Sequence, residues 1–199
     1  MRTITARWST AWKLVALCAL ALGTLYASKL CIPLRFIREE IRIQARKGSI
    51  EVSGLYEYLY AGKKPREILL FAPFPVDEGM KFADSIIIEE AGESGPFVRV
   101  PTKRLFNRVY FPIDCFPGRS TIVRLRYTQR VEGNTFTYIL TTTKSWRQPI
   151  EDAHFEISGI PGSQLVINYP FDKDHDIYRA TFRNFFPQVD LKITQIGDI

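Results

Sequence analysis

The sequence predicts an all-β protein, an antiparallel immunoglobulin-like β-sandwich preceded by one N-terminal hydrophobic helix. Three observations predict it. After Pro33 the apolar residues recur with period two and never with the helical period. About ten short runs rich in β-branched and aromatic residues are each bounded by Gly, Pro, Asp or Asn. The stretch Arg124 to Ile150 joins two such runs at Gly133-Asn134, with the same phase of alternation on both sides. If Glu132 faces Thr135 across a two-residue turn, one face carries Leu125, Tyr127, Val131, Phe136, Tyr138 and Leu140. The other carries Arg124, Arg126, Arg130, Thr137, Thr141 and Thr143. A sheet with one buried and one wet face requires this pattern, and the stretch is expected to form a central hairpin.

Residues 1–33 stand apart. A basic segment with Trp8 and Trp12 precedes an uninterrupted apolar run from Leu14 to Ala27, which extends to Ile32 if Ser28 and Lys29 are tolerated. The extended run is long enough for a tilted membrane helix, and no small-residue cleavage pattern closes it. We expect an uncleaved signal anchor over 1–33, in the lipid of the cytoplasmic membrane through residues 14–32, with a cleaved signal peptide as the alternative. Arg2, Arg7 and Lys13 precede the run and hold the N-terminus inside. The domain over 34–199 is then extracytoplasmic, either tethered to the inner membrane of a bacterial envelope or, after cleavage, periplasmic or secreted.

Within that domain, Ile41, Ile43 and Ala45 alternate with Arg42 and Gln44. Lys47-Gly48 then offers a turn, and Ile50, Val52, Tyr56, Tyr58 and Tyr60 resume the alternation. A second hairpin is expected there. The run Ile68 to Phe71 is apolar on both faces and reads as a central strand stopped by Pro73 and Pro75. Further strands are expected over Ser85 to Ile88, Phe97 to Val100, Val109 to Ile113, His154 to Ile157, Leu165 to Tyr169, Tyr178 to Arg183 and Val189 to Ile196. No internal repeat and no second domain boundary interrupts them.

The run YILTTTKSWRQPI, with Tyr138, Leu140, Thr141, Thr142, Trp146, Pro149 and Ile150, resembles a pattern of exported bacterial β-sandwich proteins of unknown function. The segment Val52 to Pro75 is similar to the first strands of the N-terminal sandwich of some secreted peptidases and of vault-inter-alpha-trypsin-type domains. The resemblance implies a sandwich and an exported location. It implies no activity, because in those peptidases the catalytic domain lies beyond the sandwich and no H-E-x-x-H stands here.

Composition narrows the function classes. Four basic residues and no acidic ones precede Pro33, so of the formal net charge of +6 only +2 belongs to the domain. That is no nucleic-acid footprint, and no nucleic-acid partner is expected. Three cysteines make no disulfide framework; Cys115 is expected as a buried thiol, with a Cys31–Cys115 bridge as the alternative. The residues suggest no cofactor. Asp172, Asp174 and Asp176 alternate in a loop and are candidate calcium ligands, but the turn Gly and the closing Glu of a calcium loop are replaced by Ile177 and Arg183. The stretch is therefore read as a solvated acidic turn between strands, with a calcium site as the alternative. Arg124, Arg126 and Arg130 make an outward basic stripe that could meet an acidic envelope protein or lipid. Trp146 is a candidate contact residue, or else a core plug.

The sequence therefore reads as a non-catalytic binding or assembly module with an unidentified envelope partner. A periplasmic hydrolase or carbohydrate-active domain, and a calcium-dependent adhesion-like module, are the alternatives. With only His154 and His175 and no G-x-S-x-G, no catalytic set is assigned. The topology carries a test: protease added to spheroplasts of cells expressing the chain digests the domain without lysis, and protection until lysis would place it in the cytoplasm.

Overall fold

The computed structural model describes residues 33–160 and 162–196. The expected anchor, Cys18 and Cys31 lie outside them. Among the described residues no helix is long and apolar enough to cross a membrane. The described residues from Leu34 onward form one compact unit. Its strands are β1 (Leu34–Arg46), β2 (Ser49–Tyr60), β3 (Arg66–Pro73), β4 (Asp84–Gly92), β5 (Val98–Arg99), β6 (Lys103–Leu105), β7 (Arg108–Cys115), β8 (Ser120–Arg130), β9 (Thr135–Tyr138), β10 (Ile150–Ser158), β11 (Gln164–Ile167), β12 (Asp172–Asp174), β13 (Ile177–Phe185) and β14 (Leu191–Ile196). A 3-10 helix, Thr141–Trp146, joins β9 to β10.

The fold is all-β, as the alternation predicts. One eight-stranded sheet runs in the order β12-β13-β10-β1-β2-β8-β4-β5. Two three-stranded sheets, β11-β14-β9 and β3-β7-β6, share its hydrophobic core. Ile41, Ile43, Val52 and Tyr127 from the large sheet enclose that core with Ile68, Phe111, Phe136, Leu191 and Ile193 from the small ones. The strands are antiparallel with one exception, the parallel pair of β1 and β10. A parallel pair needs a long connection, supplied here by the whole chain from β2 to β9.

The hairpin expected around Lys47-Gly48 forms: Arg46 pairs with Ser49, and Gly48 takes φ +70°. The hairpin expected around Gly133-Asn134 does not. β8 pairs with β2 and β4, whereas β9 pairs with β14 in another sheet. The backbone between them is satisfied from outside: the Val131 N–H donates to the Gly48 carbonyl, the Glu132 N–H to the Gly79 carbonyl, and the Asn134 carbonyl accepts from Gln195. The turn is a crossing between facing sheets. Both arms of such a crossing still point one side inward, so Leu125, Tyr127, Val131, Phe136, Tyr138 and Leu140 are all buried. The phase is the same for a crossing and for a hairpin, and only pairing separates them.

Two further expectations change. Thr143, assigned to the outer face, is buried, because the extended backbone gives way at Thr141 to the 3-10 helix, whose side chains follow another period. The Asp190 carboxylate accepts from the Leu140 and Thr141 N–H groups at that helix start. β3, expected as a central strand, is the edge of its small sheet, and its second apolar row, Leu69 and Phe71, faces solvent.

Between β3 and β4 the chain is pinned by Gln129, wholly buried, whose side-chain amide donates to the carbonyls of Pro75 (2.5 Å) and Lys81 (2.7 Å). Phe74 packs edge-on against Tyr127 at 4.9 Å, which brings the start of this connection onto the large sheet.

The crossing generates a prediction. Gly133 sits at φ +97° with open space where a Cβ would stand, so the cost of a side chain there is conformational alone. Gly133→Val lowers the unfolding free energy by about 1 to 3 kcal/mol, and Gly133→Asn by less. Urea melts of the two variants check the order; equal stability to the parent in both would remove the turn as a constraint.

Candidate functional site

The outward face of the large sheet carries the candidate site. Register places its residues in transverse rows. Glu156, Arg42, Ser53, Arg126 and Ile87 face one another across β10, β1, β2, β8 and β4. Ser158, Gln44, Glu51 and Thr128 make the next row. Together with Ser85 these side chains line a groove of about 530 Å³. Ser85 lies in the bulge between Asp84 and Ile87, at φ +49°, where β4 bends out of register with β8. Bulges of this kind re-aim the side chains beside a groove.

Charge in the groove is mostly tied off by its rim. Glu51 accepts from Arg46 at 2.9 Å and Glu156 from Arg179 at 3.1 Å. Arg126 donates to Glu89 at 3.0 Å. Arg42 alone of the groove's charged residues has no ion-pair partner among the described residues. Its exposed guanidinium offers a planar fork of donors, with Ser53, Ser158, Thr128 and Gln44 around it as neutral hydrogen-bonding groups. Such a set can hold a carboxylate or phosphate oxygen pair and the hydroxyl groups of the same small molecule.

The basic stripe read from the sequence lies outward as expected, but it is not a free cationic surface. Arg124 and Arg126 share Glu89, at 2.8 and 3.0 Å, and Arg130 pairs with Asp84 at 3.3 Å. Hydrogen bonds from Arg124, with the charge of both arginines, hold the Glu89 carboxyl below the usual carboxylate range. Arg124 also lies 4.0 Å over the Phe97 ring. Of the three, Arg126 alone reaches the groove.

Asp172 and Asp174 form strand β12, and Asp176 follows in a turn. Asp174 accepts from His175 at 2.8 Å and Arg179 at 3.2 Å, which lower its pKa. Among the described residues no group of three acidic, His or Cys side chains is placed to hold a metal ion. Trp146 ends the 3-10 helix rather than entering a strand, and stacks on Tyr58 at 5.4 Å beside Phe36. His154 meets Thr181 at 3.1 Å on the outer face. Cys115 is a buried free thiol whose pKa burial pushes up to about 11.

The sequence reading missed Arg42 as a site residue, and it missed Glu39 altogether. Glu39 is 3% exposed on the inner side of β1, and its Oε1 has no hydrogen-bond partner. It lies across from Tyr56, whose hydroxyl is 2.8 Å from that of Tyr138. Burial lifts the Glu39 pKa to about 8 and raises those of Tyr56 and Tyr138 well above the ordinary tyrosine value. The signal was a change of phase: Leu34 and Phe36 are buried at even positions, Ile41 and Ile43 at odd ones. The β-bulge between Phe36 and Arg38 absorbs that change and turns Glu39 inward.

No family model matches the sequence, and no curated protein matches it. The fold is similar to that of a solved structure, a "putative nutrient binding protein" from Legionella pneumophila, with a TM-score of 0.66. The two share 14% identity over 83% of this chain and 67% of that one. At that identity the likeness is one of fold, and fold alone assigns no ligand.

Glu39 carries a pH dependence. The folded chain keeps its carboxyl protonated up to about pH 8, whereas the unfolded chain releases the proton near 4.5. Between those values the folded state binds more protons, so stability falls as pH rises from about 4.5 to 8 and levels off above. Glu39→Gln removes this slope, worth about 5 kcal/mol between the two limits. Denaturant melts at several pH values check it; an unchanged slope in the variant would assign the effect elsewhere.

Proposed function

We propose that this chain is a membrane-tethered, extracytoplasmic binding module that holds a small polar anion, non-catalytically, in the groove centred on Arg42. The observation that carries the reading is that unpaired guanidinium, surrounded by neutral hydroxyl and amide groups while the neighbouring charges are already neutralised. A ligand oxygen there meets an unsatisfied donor fork without displacing an internal ion pair. The protein of similar fold is described as nutrient binding, and a nutrient-like role here would mean a small carboxylate- or phosphate-bearing molecule. The tether and the extracytoplasmic side rest on the apolar run after Arg2, Arg7 and Lys13 and on the resemblance to exported sandwich proteins. The sandwich itself we read as immunoglobulin-like, supported by the β8-to-β9 crossing between facing sheets and by inward alternation on both.

The test is a thermal-shift screen of small organic acids, sugar phosphates and inorganic phosphate. A ligand present at 100 times its Kd adds about 2.7 kcal/mol and raises Tm by roughly 5 to 10 °C in a domain of this size. Arg42→Gln abolishes the shift while leaving the unliganded Tm within about 1 °C, since the residue is exposed and has no ion pair to lose. A shift that survives in Arg42→Gln would move the ligand out of the groove.

A further inference from the structure

The segment Lys103 to Arg108, KRLFNR, forms the hairpin of β6 and β7, with Leu105 paired to Arg108 and Phe106-Asn107 as its turn. It shares its basic character with the β2–β3 turn at Lys63, Lys64 and Arg66, and differs from that turn in its large exposed apolar side chains. Three cations and no anion occupy six residues, and Leu105 and Phe106 at the tip are 48% and 84% exposed. Phe106 also sits at φ +54°, a backbone conformation that costs a bulky residue energy and that Asn or Gly takes with ease. No carboxylate among the described residues forms an ion pair with Lys103, Arg104 or Arg108. The cations brace the tip instead: Arg104 donates to the Phe106 carbonyl at 3.3 Å, and Arg108 lies 4.7 Å over the Phe71 ring. Phe71 and Leu69 continue the apolar row along the exposed face of β3.

We propose that this hairpin tip docks on an anionic phospholipid bilayer, with Leu105 and Phe106 entering the acyl boundary and Lys103 and Arg108 meeting headgroup phosphates. Exposed apolar side chains at a turn, with cations that have no ion-pair partner one step behind, match the layering of a bilayer interface. A protein partner would need a broad complementary surface, on the order of 800 Å² from each side, whereas the apolar element at this turn is two side chains wide. The groove around Arg42 plays no part in this docking.

A photoreactive benzoylphenylalanine in place of Asn107 tests it in the full chain. The protein is reconstituted in phosphatidylcholine liposomes with or without about one-third phosphatidylglycerol, and lipid adducts are counted per liposome-recovered chain. Recovery reports the tether, and adducts report the tip, so either reading can fail without the other. The expected result is adducts in the anionic liposomes, about tenfold fewer in phosphatidylcholine alone, and a comparable loss on Phe106→Asn or on Lys103→Gln with Arg108→Gln. Phe106→Asn relieves the backbone and melts no lower than the parent, so its loss of adducts is not unfolding. Equal adducts in both lipids and in the variants, no adducts at all, or adducts to a protein when the experiment is run in native membranes would each overturn the proposal.

Discussion

Strand β1 carries the constraint on which the rest of the molecule depends, because both of its edges are paired and both of its faces are used. Its parallel register with β10 and antiparallel register with β2 align the rows of the large sheet. The same residues alternate between core and groove: Ile41, Ile43 and Ala45 turn inward while Arg42 and Gln44 turn out. A slip of one residue would exchange the two sets. The bulge after Phe36 is what lets one strand keep Leu34 and Phe36 inside at even positions and Ile41 and Ile43 inside at odd ones. Its consequence is the inward Glu39, a carboxyl that stays in the core by remaining protonated. The groove and the buried acid are thus two products of one register.

Alternation was legible because burial imposes it residue by residue, and pairing was not because it is decided between distant segments. The inward set of β8 and β9 follows from the period of two, yet the same set is compatible with a hairpin or with a crossing between sheets. What decides is where the backbone of Val131 to Asn134 finds its partners, and these come from Gly48, Gly79 and Gln195. The expectation for β3 failed for the related reason that two apolar faces are read as two buried faces. Leu69 and Phe71 are apolar but exposed, at 64% and 37%. Apolar residues at the surface are common, and a period alone does not tell an edge from a centre.

The candidate groove was half legible. That Arg124, Arg126 and Arg130 point outward follows from their spacing; that Glu89 and Asp84 neutralise them depends on β4 lying beside β8, which no local pattern states. Arg42 went unnoticed because it is one ordinary outward residue of an alternating strand. It becomes distinctive only when register sets Glu156 and Ser53 beside it and Arg179 takes up the Glu156 carboxylate. Function on a sheet face is therefore a matter of which charges are left over once the rows are assembled, and that subtraction requires the sheet.

The same subtraction orders the two surfaces for which roles are proposed. The small sheet β3-β7-β6 turns Ile68, Leu70, Val109, Phe111 and Ile113 into the core shared with the inner face of the large sheet. Its exposed row, Leu69 and Phe71, therefore looks away from that core on one side of the sandwich, while the groove of Arg42 and Ser53 looks away on the other. Along the exposed row the character changes from acidic at Glu67 and Asp114 to cationic at Lys103 and Arg108. The far end has cations of its own at Lys63, Lys64 and Arg66, but the hairpin end alone joins its cations to the exposed Leu105 and Phe106, the combination that suits an anionic bilayer. A domain resting on lipid through that end keeps its groove on the opposite side, open to solvent, where a small polar ligand can enter and leave without crossing the bilayer interface.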